Sequence, residues 1–284
     1  MFSFFKNKVD PKQQLQKVLK DYELPSFPAV IMQILQKIRS PYSSASDIAE
    51  SLSLDPGLSV KILSIANSAA FSPKNKVENL SQAIALVGLS QLESLVLGVG
   101  VAKGIPSKTC NWHDPSQFWL TSARRALLAS ELSRILCPAK ESECFTAAFL
   151  QDMALPFLAC QRADDYDPVF KKWFLEGGDL AQIEKEVFSW DHAEVATWIC
   201  SEWGMPENIA LAIKYHHEND NSEDYEPLGP VQLAAVLREN EEDETHIDEL
   251  KQKALEMYNI QEEQMQELID ISFENARELA RMIH

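Results

Sequence analysis

The sequence predicts an all-α protein, and three observations carry that expectation. Only 9 of its 284 residues are glycine. Leu, Ala, Glu, Gln and Lys dominate, which favours helix, while runs of β-branched residues are few. Apolar residues recur at three- and four-residue spacings along most of the chain. A 45% hydrophobic content is enough for one large domain or two smaller ones with their own cores. No segment approaches the roughly 18 consecutive apolar residues of a membrane span. The opening MFSFFKNK puts aromatics ahead of its lysines and does not read as a secretory signal.

The first predicted helix is PKQQLQKVLKDYEL, residues 11–24, with Leu15, Val18 and Leu19 on one face. LPSFPAV interrupts it. A second helix runs through Val30, Ile34, Leu35 and Ile38 and ends near Pro41. Ser46 or Asp47 starts a short third one. Asp55 followed by Pro56 pairs an N-cap with a proline at the first helical position. The fourth helix therefore starts there, carries Leu58, Ile62, Leu63 and Ile65, and stops near Asn67, which tolerates a left-handed cap. Ser81 starts a fifth, and Gly88 ends it. The next, Ser90 to Lys103, is apolar nearly all round and should be buried. Its Gly98 and Gly100 would let another helix approach closely.

PSKTCNWHDPSQ is a loop and a boundary between two helical lobes. Beyond it, helices are expected at 116–136, 141–152, 167–176, 179–188, 191–203 and 206–218, with Gly204 and Pro206 as a stop-then-start signal. The acidic loop ENDNSEDYEPLGP precedes further helices at 230–239 and 246–282. The expected organisation is an N-terminal helix (1–22), an N-terminal lobe (23–110), a second lobe (111–240) and an acidic C-terminal helical extension (241–284).

The formal net charge is −17, and residues 239–284 account for −10 of it with 14 acids and 4 bases. Such a balance opposes non-specific nucleic-acid binding. The helix–Gly–helix outline at 81–103 resembles a DNA reader, but its second helix is too apolar to lie in a groove. Five scattered cysteines without a C-x-x-C argue against a disulfide framework or thiolate zinc site. Buried reduced thiols and a cytoplasmic location are expected. There is no G-x-S-x-G elbow and no phosphate-cradling glycine loop.

Helical periodicity picks out one constellation. Phe145, Ala148, Phe149 and Asp152 share a stripe. So do His192, Val195, Ala196, Ile199 and Trp203, and likewise Ile209, Ala212, Ile213, His216 and His217. Asp152, His192 and at least one of His216 and His217 therefore face inward among apolar neighbours. A buried carboxylate needs a partner. One reading is a divalent metal, since imidazole and carboxylate are its usual ligands. The other is a hydrogen-bond network in which Asp152 orients a histidine. Arg124 and Arg125 either contact an anion by a forked bond or divide into one surface residue and one ion-pair partner. Trp119, Trp198 and Trp203 read as core.

Several segments carry a family resemblance: LPSFPAVIMQILQKI, IAESLSLDPGLSVKILSIANSAAF, LSQAIALVGLSQLESLVLG, FWLTSARRALLASELS, AAFLQDMA and EKEVFSWDHAEVATWICSEWGMPENIALAIKYHH. Together they resemble the HDOD family, helical output domains related to the HD and HD-GYP phosphohydrolases, from about Leu24 to His217. The resemblance implies two helical lobes, the second HD-like. It also places Thr121 where active HD enzymes have a first histidine ligand, and Gln151-Asp152 where they have the His-Asp doublet. His192 and His216 or His217 match later histidine ligands. The implied site is thus a remnant: Thr121, Gln151, Asp152, His192, His216 and His217, with Asp152 and the three histidines as the residues for a divalent metal. No cofactor is otherwise expected.

The resulting expectation is a stand-alone, non-catalytic signalling module that binds other signalling proteins through its helical surface or acidic extension, with no nucleic acid and no membrane span. The alternative is a divergent metal-dependent phosphohydrolase acting on a phosphodiester or nucleotide.

Overall fold

The structure is a computed structural model that describes residues 10–20, 24–68, 71, 73–106, 111, 113–218, 225–238 and 245–283. Among these residues every regular element is a helix, as the sequence predicts. The first half contains α1 (Pro11–Leu19), α2 (Ala29–Arg39), α3 (Ala45–Ser53), α4 (Pro56–Ala66), α5 (Leu80–Val87) and α6 (Leu89–Gly104). The second contains α7 (Pro115–Leu136), α8 (Glu141–Leu150), α9 (Leu155–Gln161), α10 (Ala163–Glu176), α11 (Leu180–Phe188), α12 (His192–Glu202) and α13 (Glu207–Lys214). Then come α14 (Gly229–Ala234), α15 (Thr245–Tyr258) and α16 (Glu262–Ile283).

Side-chain caps set most of the early boundaries. The Asp55 carboxylate accepts from the Leu58 N–H at 3.0 Å, as the Asp-Pro signal predicts. The third helix starts earlier than expected, because Ser44 is its cap and Asp47 closes a reciprocal capping box. Asn67 is a second correction: its φ of −91° is right-handed. Its side chain works differently, donating to the Val77 carbonyl at 2.9 Å and accepting from the Val77 N–H at 2.8 Å. That pair clamps the loop before α5 onto the end of α4. At Gly88, φ is +79°, and the chain turns by 112° between α5 and α6. Glycine adopts that left-handed backbone without strain.

Helix α6 is buried along most of its length, and α2 and α8 pack on it. Close approach depends on Gly100, where a Cβ would lie 2.5 Å from Phe27 Cζ. One apolar core runs through both halves, from Leu15 on α1 to Ala280 on α16. Helix α1 packs on α12 and α9 of the second half, and the Trp203 indole N–H donates to the Pro25 carbonyl at 2.8 Å.

The C-terminal region differs from one long helix. Asn259 breaks it with a φ of +55°. The Asn259 N–H donates to the Leu255 carbonyl and the Ile260 N–H to the Ala254 carbonyl, a left-handed stop with Ile260 buried. A second apolar cluster joins α7, α14, α15 and α16 through Leu128, Leu233, Leu250 and Met265. Helix α16 lies along α7 and reaches α4 and α6. The acidic extension therefore has a core-forming inner face.

Other differences are local. Helix α9 has no counterpart in the expected pattern, and Pro168 lies inside α10 rather than near its start. Cys144 and Cys200 are buried thiols, whereas Cys137 and Cys160 are half-buried; Cys110 lies outside the described residues. Trp119 and Trp203 are buried and Trp198 is half-buried against the core. Among the described residues no single helix is long and apolar enough to cross a membrane.

Candidate functional site

The site lies where α7, the α8–α9 turn, α12 and the turn after α13 converge. Asp152 sits just past the end of α8, not on the helix as expected. The turn is tight: Leu155 N–H donates to the Asp152 carbonyl at 2.9 Å. His216 and His217 likewise follow the end of α13 at Lys214. His192 is the first residue of α12, fixed by an Asp191–Glu194 capping box. Each side chain still points inward, since these turns continue the helical sense.

Asp152, His192, His216 and His217 each offer a ligand atom within 4.8 Å of the others. The outer nitrogens of His192 and His216 are hydrogen-bonded, and that of His217 faces a carboxylate. His192 Nδ1 lies 2.6 Å from Glu184 Oε2, His216 Nδ1 lies 2.6 Å from the Ile213 carbonyl, and His217 Nδ1 lies 3.4 Å from Asp179 Oδ1. Their Nε2 atoms turn toward the centre. His192 Nε2 is 2.9 Å from His217 Nε2 and 3.4 Å from Asp152 Oδ1, and His216 Nε2 is 3.5 Å from the same oxygen. They border a cavity of about 320 Å³, whose rim includes Gln232, Arg238 and Lys253 from the C-terminal segment.

Glu184 and the role of Arg125 complete the cluster. Glu184 is fully buried and accepts from the Tyr166 hydroxyl at 2.9 Å and the His192 backbone N–H at 2.8 Å. The Arg125 guanidinium forms an ion pair with Asp152 and donates through Nε to the Leu237 carbonyl at 3.0 Å.

The electrostatics agree with this geometry. Burial works against charge on Asp152, but Arg125, then His192 and His216, hold its carboxyl well below the usual range. Burial also opposes charge on His192, but Glu184 and Asp152 outweigh it and raise its pKa well above the ordinary value. Burial, then the neighbouring His216 and His192, push His217 well below it. A cationic His192 can therefore donate from Nε2 to a neutral His217.

Donor type and direction in this cluster suit a divalent transition metal: two imidazoles have their second nitrogens held by hydrogen bonds, and the buried His216 Nε2 has no hydrogen-bond partner among the described residues. The charge does not suit one, because Arg125 already neutralises Asp152.

Thr121 and Gln151 are buried, but neither lines the cavity. Among the described residues, neither polar atom of the Gln151 amide has a hydrogen-bond partner. Arg124 is not a surface residue; its guanidinium lies 4.4 Å over the Phe273 ring. Glu184 escaped the sequence reading because EKE resembles a solvated helix face. Its one signal was a place eight residues before His192 on the preceding helix.

These features define an all-helical protein with a buried Asp–His cluster in its second half. The HDOD domain family matches residues 24–219, and the chain belongs to that family. It is 24% identical over 258 residues to an uncharacterised protein of Treponema pallidum, a match covering 85% of this chain and 47% of that relative. The chain thus spans about half of that relative's length. The fold is similar to a candidate phosphohydrolase from Shewanella amazonensis SB2B, with a TM-score of 0.75, 22% identity, and 97% and 98% of the two chains covered. It is also similar to a candidate signal transduction protein from Marinobacter aquaeolei VT8. There the TM-score is 0.72 at 18% identity, covering 96% of this chain and 65% of the other.

Proposed function

We propose that this chain is a non-catalytic, cytoplasmic signalling module that acts by binding another signalling protein, and that its HD-type metal site is degenerate. The observation that carries this reading is the Arg125–Asp152 ion pair. Where an active HD site needs a metal beside its aspartate, this chain has a guanidinium. The replacement of two ligand positions by Thr121 and Gln151 supports it, as does the name of the Marinobacter relative.

The inward-facing imidazoles favour a second reading, a divergent metal-dependent phosphohydrolase acting on a phosphodiester or nucleotide. Asp152, His192, His216 and His217 would hold the metal. When bound, it would supply a water of lowered pKa and polarise a phosphoryl oxygen.

One experiment separates the two. Tag-free protein is assayed for bound metal by mass spectrometry, then for phosphodiester and nucleotide turnover with added Mn, Fe, Ni or Zn. The signalling reading predicts neither a stoichiometric metal nor turnover. A stoichiometric metal together with turnover, both lost in Asp152→Ala, would establish the enzyme.

A further inference from the structure

We propose that Arg125 decides what this site accepts: its guanidinium takes a metal's place on Asp152, and the C-terminal segment holds it there. The inference rests on the degenerate-site reading and supplies its physical cause. Arg125 lies one helical turn beyond Thr121 on α7, so both share a face. The chain thus lacks a ligand at one turn and supplies a cation at the next.

Arg125 is held from two sides. Nη1 donates to Asp152 Oδ2, while Nε and Nη2 both donate to the Leu237 carbonyl. Leu237 lies just after α14, beyond the family match that ends at residue 219. Its side chain is 1% exposed and belongs to the cluster that joins α7, α14, α15 and α16. The guanidinium cannot leave Asp152 without breaking those bonds and stranding two buried charges.

Two effects oppose a metal. The one carboxylate among the four donor residues is already neutralised. A fixed positive charge also faces any entering cation, and like charges a few ångströms apart repel strongly in a partly dry site. The histidine rings, by contrast, need little movement, since the outer nitrogens of His192 and His216 are hydrogen-bonded; a metal has only to displace the proton that His192 Nε2 shares with His217. Removing the Arg125 charge should therefore convert the remnant into a working cation site, the entering ion releasing the His192 Nε2 proton to solvent.

The test compares wild type, Arg125→Met and Arg125→Lys, each stripped of metal and titrated with Mn²⁺ and Zn²⁺. Bound metal per chain is read by mass spectrometry after dialysis, and Kd by calorimetry. Arg125→Met should take up about one ion per chain, about a hundredfold or more tighter than wild type. Arg125→Lys, which keeps the charge, should behave like wild type. Adding Asp152→Asn to the Met variant should abolish the gain. If the Met variant fails to fold by circular dichroism, Arg125→Gln replaces it, a neutral side chain that still reaches for the Leu237 carbonyl. Equal affinity in wild type and a folded neutral variant would overturn the proposal. Tight, stoichiometric metal on the wild type would instead overturn the degenerate-site reading, so the two failures are distinguishable.

Discussion

Replacing Glu184 with alanine removes the acceptor for three groups: the Tyr166 hydroxyl, the His192 backbone N–H and His192 Nδ1. All sit where the described structure excludes water, since Glu184, Tyr166 and His192 are each at most 1% exposed. A hydrogen bond to a charged group contributes about 1.5–3 kcal/mol. The three share one carboxylate and do not add fully. Removing one partner of a buried ionic pair gives a total of about 4 kcal/mol. That is a large share of the roughly 5–15 kcal/mol that stabilises an ordinary domain. Glu184→Gln is the informative control. Its oxygen can still accept both His192 protons, and its amide can donate to the Tyr166 oxygen, so mainly the charge is lost. Its cost should be about 1–2 kcal/mol. Urea unfolding at neutral pH, followed by tryptophan fluorescence and circular dichroism, measures both. An alanine variant within about 1 kcal/mol of wild type would rule out this role for Glu184. So would a glutamine variant as damaged as the alanine one, because the acceptor would then not be what matters.

Gln151→Leu should leave the melting temperature unchanged or raise it, by up to about 1–3 kcal/mol of stability, because neither end of this buried amide has a partner. A clear loss in thermal melts would refute it. Gly100→Ala should cost about 1–3 kcal/mol in urea unfolding, since its Cβ would meet Phe27 at 2.5 Å and Ile31 at 2.9 Å. A gain, as helix propensity alone predicts, would show that α2 yields easily. The cluster also sets a pH window. Asp152 has a depressed pKa, so its contribution is present above the ordinary 3.8 and is lost as pH falls through the lower folded value. His192 has a raised pKa, so its contribution is present below the ordinary 6.5 and is lost as pH climbs through the higher folded value. Urea midpoints across pH 3–9 should show both limbs. Asp152→Asn, less stable overall, should flatten the acid one.

The fold class and most helix positions were legible because local signals fixed them. Asp55-Pro56, Gly88 and the apolar run of α6 each had one strong physical meaning. The misses came where a local signal had more than one physical meaning. Ser44 and Asp47 both suit a cap, and only the reciprocal bond shows that they divide the task. Asn67 suits a left-handed stop, yet its amide found a distant backbone partner ten residues on. Asn259 lay within an unbroken acidic helix pattern that masked its stopping role. Periodicity found Asp152 and His192, because inward direction survives an error of one or two residues in a helix end. It could not pair them. The Arg125–Asp152 contact spans 27 residues and the Arg125–Leu237 contact 112, and spacing on one helix carries no information about either.

The retained polarity of this site has a physical reason. An apolar replacement of a buried charged cluster is often neutral or stabilising, so nothing in stability alone requires three histidines and an aspartate here. Leaving one of these groups without a partner is different. An Asp152 left without metal or partner would be a buried unpaired charge, which costs several kcal/mol. A guanidinium from the next turn of α7 offsets that cost without moving the aspartate, and Glu184 does the same for His192. The charges are therefore balanced pairwise rather than by one central ion. That balance extends beyond the family domain, because Arg125 also rests on the Leu237 carbonyl. A displacement of α14 must break those bonds before Asp152 can change partners. The Asp–His cluster and the segment after α14 are thus linked through one guanidinium, in addition to the apolar packing of α14 and α16 on α7.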